Sequence, residues 1–327
     1  KLVYENHAMP VFYQDVMYKP GEESEDAACL KLYDGHDWKW FRAGLLHTDM
    51  EYLRRHWSGK KSSAPVLEKR RQKYFLRFSY TEEVTLSKTP VKDQIICSVD
   101  LGINTDAVCS IMRSDGTVLD RKFINFPSEK DRLSHVLGRI RRFQKEHGSK
   151  QIGSRWAYAK RLNTELARKT ARSIAEYAHE NHADVIVFEY LEMKGKISGK
   201  KRQKLHLWKK REIQTMCEHK AHRYGIRVSR VCAWNTSRLA YDGSGPVSRD
   251  PKNHSLCVFQ SGKQYNCDLS ASYNIGARYW IREIIKTLPE TERSSLEAKV
   301  PAVERRTSCV YADLLILKNE YGCSKAA

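Results

Sequence analysis

Three short apolar runs in this chain each meet a carboxylate at one boundary, and that pattern restricts the fold more than any other feature. Ile95-Ile96-Cys97-Ser98-Val99 leads into Asp100, with Leu101-Gly102-Ile103-Asn104 beyond it. Val185-Ile186-Val187-Phe188 leads into Glu189, and Asp268 opens the stretch Asp268-Leu269-Ser270-Ala271-Ser272-Tyr273-Asn274-Ile275-Gly276-Ala277. Continuous β-branched runs of this kind read as buried strands. A carboxylate at the end of a buried strand is costly unless something cationic meets it. Two such strand ends and one acidic helix start predict a shared divalent-metal site of the sort used for in-line attack on phosphate.

Charge adds a partner class. The formal net charge of the 327 residues is +19. Residues 129–172 carry 13 Lys/Arg against 4 Asp/Glu, and residues 194–230 carry 13 against 2, so two segments hold essentially the whole excess. Two basic blocks on a near-neutral scaffold are the footprint of a polyanion partner. Neither block pairs its cations with a continuous apolar face, so nucleic acid is expected and a membrane is not. No stretch approaches the roughly 20 apolar residues of a membrane span. The candidate nucleic-acid-binding residues are Arg139, Arg141, Arg142, Lys160, Arg161, Arg168 and Lys169 in helical stretches, and Lys200, Lys201 and Arg202 in a basic Gly/Ser loop. The nine cysteines are odd in number and irregularly spaced. They do not make a disulfide framework and point to a reducing, cytoplasmic compartment, nucleoid-associated in a bacterium.

Patterning divides the chain. Residues 1–90 read mostly as short aromatic and β-rich strands, with a basic helix near 49–57, and fit a small antiparallel barrel. Residues 91–231 begin with a three-strand meander (95–99, 107–112, 118–126) turned at Ser114-Asp115-Gly116-Thr117. Two helices over 128–182, a strand ending at Glu189, a helix over 205–225 and a strand at 227–231 follow. Residues 232–266 read as an insert with loops at Gly243-Ser244-Gly245-Pro246 and Arg249-Asp250-Pro251, and 267–327 as a helix from Asp268, a polar stretch and a last short helix. Trp38, Trp40, Phe41 and Trp57 lie near Arg42, Arg54, Arg55 and His56, a composition that suits base stacking. Burial inside a barrel is the commoner fate of such aromatics and is the expectation for them, as for Trp156 and Trp208.

In this order the motifs resemble the split RuvC nuclease domain of the TnpB and type V CRISPR effector family, over residues 92–285. The resemblance rests on strand-Asp-Leu-Gly-Ile-Asn, then strand-Glu, then Asp-x-x-Ala-x-x-Asn-Ile, with a basic helical insert between the first two. It implies an α/β, RNase H-like (RuvC) mixed sheet with flanking helices, preceded by a small β-rich wedge-like barrel. It also implies an RNA-guided DNA endonuclease in which Asp100, Glu189 and Asp268 are catalytic and hold two Mg²⁺ ions, with Mn²⁺ as a substitute. Guide RNA and target DNA would be the partners. The chain opens on Lys1 and reads as the C-terminal portion of a longer protein. Two other readings stay open: a guide-RNA-dependent DNA binder without cleavage, and an RNase H-fold resolvase or transposase acting without RNA.

One region departs from the family. A zinc ribbon with two Cys-x-x-Cys knuckles often stands before the last acidic motif, because Zn²⁺ takes four tetrahedral ligands. Thr236-Ser237 is in place, but the stretch that should hold the first knuckle, Arg238-Leu239-Ala240-Tyr241-Asp242-Gly243, has no cysteine. His254, Cys257 and Cys267 make at most a partial set, so residues 232–266 read as a degenerate ribbon and bound zinc is not expected.

Overall fold

The computed structural model describes residues 12–21, 26–70, 72–148, 152–190, 208–250, 253, 255–304 and 307–326. It divides into two compact units, residues 1–83 and 84–327. The boundary falls before the expected residue 90. Ser87 N donates to Gly225 O at 2.7 Å, and the Ser87 and Thr89 hydroxyls donate to Asp184 Oδ1 at 2.6 and 2.5 Å, so the segment after 83 is tied to the second unit.

In the first unit β1 (Tyr18–Pro20), β2 (Ala27–Tyr33) and β3 (Trp38–Gly44) form one antiparallel sheet. The β2–β3 turn is held by Asp34 Oδ1, which accepts from the backbone of His36 and Asp37 at 2.9 and 2.8 Å, and Gly35 supplies a φ of 104° that other residues resist. Helix α1 (His47–Trp57) follows. Then β4 (Lys61–Ser62), β5 (Val66–Arg70), β6 (Lys73–Arg77) and β7 (Tyr80–Thr81) pair β4 with β7 and β5 with β6. Among the described residues these ladders stay separate. Pieces as short as β4 and β7 cannot carry the continuous hydrogen bonding that a closed barrel requires, so three small antiparallel pieces stand where one barrel was expected.

The second unit is a layered α/β structure. β8 (Ile95–Asp100), β9 (Ala107–Arg113) and β10 (Val118–Ile124) form the expected meander. Helices α2 (Pro127–His147) and α3 (Gly153–Glu180) follow, then β11 (Val185–Tyr190), α4 (Lys210–Arg223) and β12 (Arg227–Cys232). The five strands make one sheet in the order β10-β9-β8-β11-β12, and only β9 runs against the others. The insert over 232–266 contains a small sheet of β13 (Ser248–Arg249), β14 (Leu256–Val258) and β15 (Gln264–Asn266). Helix α5 (Cys267–Thr287), α6 (Glu290–Lys299), α7 (Pro301–Glu304) and α8 (Tyr311–Ala326) complete the chain.

Period-two alternation decides what each face of the large sheet meets. Cys97, Val99, Ile186 and Phe188 face α3 and α4, packing on Ala171, Ile174 and Cys217. Ile96, Val185 and Val187 face α5, packing on Leu269, Ile281 and Ile285. Small residues let α5 lie close. A Cβ on Gly276 would come within 2.4 Å of Met112 Sδ, and the Ser110 and Ser272 hydroxyls bond each other at 2.6 Å across the buried seam. That close seat fixes where the first turn of α5, with Asp268, meets the strand ends.

Candidate active site

The register of two parallel strands brings the first two acids together. β11 pairs with β8 as Val185↔Ile96, Ile186↔Cys97, Val187↔Ser98 and Phe188↔Val99. One step further sets Glu189 beside Asp100. Both share their parity with the residues that face α5, so both side chains stand on the α5 face. Asp268 is the second residue of α5, just inside the cap formed by Asn266 Oδ1, which accepts from Leu269 N at 2.9 Å. A carboxylate in this first turn suits the partial positive charge of the helix start.

The electrostatics are those of negative charge short of compensation. Asp100 and Glu189 are each only 8% exposed. Burial, then the charges of Glu189 and Asp268, push the Asp100 pKa well above the usual carboxylate range, and Arg249 opposes this. Burial also raises Glu189, against the Thr236 hydroxyl and the charges of Arg278 and Lys210. Asp268 is raised by burial and eased by Arg249. Oxygen donors with excess negative charge match the preference of a hard divalent cation. Among the described residues no group of three or more His, Cys, Asp and Glu side chains forms a ready-made ion site. The Thr236 hydroxyl bonds Glu189 Oε1.

These shifts have a sign that can be measured. The three acids have raised pKa values in the fold, so between about pH 4, where unfolded carboxylates titrate, and their raised values the unfolded chain holds fewer protons than the folded one. Stability from these groups is therefore full below the unfolded pKa and falls as pH rises through the folded values. Asp100→Asn should raise the melting temperature of the metal-free protein at pH 7 and leave it unchanged near pH 4. Equal melting temperatures at pH 7 would mean that the Asp100 charge carries no penalty.

Residues 232–266 contribute a small apolar core of their own. Tyr241, in the stretch expected to hold a knuckle, packs within 5.1–5.9 Å of Tyr265, Tyr273, Phe259 and Tyr311, ring centre to ring centre. Cys257 and Cys267 are buried beside Phe259, and Cys257 Sγ donates to Tyr265 O at 3.3 Å. Burial first, then Cys267, pushes the Cys257 thiol up to about 12. His254 lies outside the described residues.

All seven candidate cations on the helices are exposed: Arg139, Arg141 and Arg142 on α2, and Lys160, Arg161, Arg168 and Lys169 on α3. Lys169 is paired with Glu129 at 2.5 Å, and Arg161 lies over the Tyr158 ring at 5.7 Å. Arg139, Arg141, Arg142, Lys160 and Arg168 have no ion pair among the described residues. Lys200, Lys201 and Arg202 lie outside the described residues. The described parts of the two basic blocks do meet: Lys209 Nζ donates to Thr164 Oγ1 on α3 at 2.7 Å. Arg141 and Lys209 line one cavity of about 370 Å³ with Gly102, Ile103 and Asn104, the loop that follows Asp100.

Several participants escaped the sequence reading. Arg249 lay in an expected loop, and Lys210 and Arg278 lay in helices with no motif to mark them. Thr236 was noted only as a landmark, and Asn274 only as part of a motif. The aromatic expectation is reversed for β3: Trp38, Trp40 and Phe41 are 47%, 43% and 43% exposed, and Lys19 Nζ stands 5.3 Å over the Trp40 ring. Trp156 and Trp208 are half-buried, and Lys210 Nζ lies 5.2 Å over the Trp208 ring.

Residues 211–275, from α4 into α5, match the Cas12f1-like TNB domain family. Among solved structures, the chain is similar to a Cas12f1–sgRNA–target DNA complex at 18% identity and a TM-score of 0.44, over 83% of this chain and 70% of that one. It is similar to the mini-RNA-guided endonuclease CRISPR-Cas phi3 at 15% identity and a TM-score of 0.49, over 76% and 57%. It is also similar to CasPhi-2 (Cas12j) bound to crRNA at 14% identity and a TM-score of 0.47, over 78% and 62%. In the last two the chain spans less than two thirds of the other protein's length. No curated protein matches. The family match agrees with the resemblance to TnpB and type V effectors.

Proposed function

We propose that this chain is the nuclease-bearing part of an RNA-guided DNA endonuclease of the TnpB and type V kind, hydrolysing phosphodiester bonds at Asp100, Glu189 and Asp268. The observation that carries this reading is the side-by-side seat of Asp100 and Glu189 on parallel strand ends, on the face that α5 covers with Asp268 in its first turn. The strand order, with β9 alone reversed, supports an RNase H-like, RuvC-type sheet. Guide RNA and target DNA are the partners proposed, in keeping with the basic blocks and the Cas12f1-like match.

Asp100, Glu189 and Asp268 would hold Mg²⁺, with Mn²⁺ able to replace it. When bound, such an ion supplies Lewis acidity and a water of lowered pKa. Arg249 already acts on Asp100 and Asp268, and its cation would meet a phosphate oxygen of the strand being cut. The exposed cations of α2 and α3 would hold the backbone on the approach to the loop after Asp100. The rival reading is guide-dependent binding without cleavage.

The test is purification followed by RNA sequencing, then incubation of the RNA-loaded protein with matched DNA, with and without Mg²⁺. A discrete copurified RNA and Mg²⁺-dependent cuts are expected. Binding without cuts would leave the rival, and sequence-independent cutting with no RNA would leave a resolvase or transposase.

A further inference from the structure

The turn after β12 is held by two side chains one helical turn apart on α5. Asn274 Nδ2 donates to Thr236 O and Leu239 O, both at 3.0 Å. Arg278 Nη1 donates to Cys232 O and Trp234 O, both at 2.7 Å. The same two residues also hold the chain just before α8. Arg278 Nε donates to Cys309 O at 2.9 Å, and Tyr311 N donates to Asn274 Oδ1 at 3.0 Å. Asn274 is fully buried and Arg278 is 3% exposed, so both donor side chains are shut away from water. Buried backbone carbonyls left without donors are costly, which locks the turn to this arrangement.

Thr236 stands inside the turn, 2% exposed, and its hydroxyl donates to Glu189 Oε1. Thr236 Oγ1 also lies 3.1 Å from Ala233 O, and one hydroxyl hydrogen serves only one acceptor at a time. From the other side, Gln214 Nε2 donates to Glu189 O at 2.9 Å. The Glu189 backbone is thus tied to α4, while its carboxylate is aimed by the turn.

We propose that Thr236 is a positioning residue for Glu189, and that residues 309–311 set Thr236 through Asn274 and Arg278. The chain before α8 then works as part of the carboxylate site. Asn274 carries two donors and one acceptor on a short stem, which suits it to clamp two turn carbonyls and one amide at once. Arg278 supplies a charged donor to three carbonyls from two distant segments, and charge-assisted bonds are the stronger class. The inference rests on the reading of the three carboxylates as ion ligands.

The test uses the full chain and Mn²⁺ alone, with bound ion measured by electron paramagnetic resonance and melting temperature recorded in parallel. Thr236→Val keeps the shape and removes the hydroxyl. It should weaken Mn²⁺ binding by about 10-fold, the lower end of what loss of a ligand-orienting partner costs. Thr236→Ser should restore the affinity. Arg278→Lys keeps the charge but cannot span three carbonyls, and it should weaken Mn²⁺ binding in the same direction. The Thr236→Val, Arg278→Lys double variant should lose less than the sum, because both act through one carboxylate. A merely structural role would lower melting temperature without moving Mn²⁺ affinity, and Ser would not rescue it. Unchanged affinity in Thr236→Val, strictly additive losses, or a wild-type chain that binds no Mn²⁺ would each overturn the proposal. If Mn²⁺ binding follows the expected pattern but no variant nor the wild type cuts DNA, the positioning role stands and the nuclease reading falls.

Discussion

Asp100→Ala, made in the RNA-loaded protein, is expected to cut the rate of DNA cleavage by about three orders of magnitude while target binding stays within about twofold. Asp100 is buried and feels the charges of both other acids. Loss of one ligand removes much of the charge stabilisation that a bound ion gives the transition state, several kcal/mol. At about 1.4 kcal/mol per tenfold, that is roughly a thousandfold in rate. Asp268→Ala should do the same from the helix side of the site. Binding should be spared because the exposed cations on α2 and α3 are untouched. Single-turnover cleavage and gel-shift titration, run on the same preparations, separate the two quantities. Residual cleavage within tenfold of wild type in either variant would move the chemistry elsewhere in the chain.

Removing Arg139, Arg141, Arg142, Lys160 and Arg168 together should weaken target DNA binding steeply at physiological salt and much less at low salt. These five are exposed and have no ion pair among the described residues. Each lost phosphate contact lowers the slope of log affinity against log salt by about 0.9 on duplex DNA. Five alanines should therefore flatten the slope by roughly 4 to 5. Lys169→Ala is the internal control. Glu129, at 2.5 Å, already spends much of its charge, so it should change the slope by clearly less than one. Fluorescence anisotropy between about 50 and 200 mM salt covers the range in which such contacts act. An unchanged slope in the fivefold variant would mean that the basic faces are only solvated surface.

Much of the second unit was legible in the residues. The runs before Asp100 and Glu189 became β8 and β11, and the stretch from Asp268 became α5, because apolar periodicity is a local signal. The meander was also readable, since Gly116 and its neighbours make a recognisable turn. The first unit was less so. Its strands appeared, yet among the described residues they stand as separate ladders, because closure depends on which short ladders continue into one another. The exposed Trp38, Trp40 and Phe41 followed the same rule: composition says that aromatics are present, while the partner layer decides whether they are covered.

The amino-acid sequence by itself determined the three acidic positions, the strand and helix that carry each, and the two blocks that hold the positive charge. Tertiary structure alone decided that Asp100 and Glu189 share a face and that Arg249 acts on two of the three acids. It also decided that Lys169 is neutralised by Glu129 while Arg141 is not, and that aromatic packing fills the stretch expected to hold a zinc knuckle. The physical reason is range. Periodicity and turn chemistry are written within a few residues. The bond of Thr236 to Glu189 spans 47 positions and that of Arg278 to Cys309 spans 31, and such pairs exist only once strand register and helix docking bring distant polar groups to one buried point.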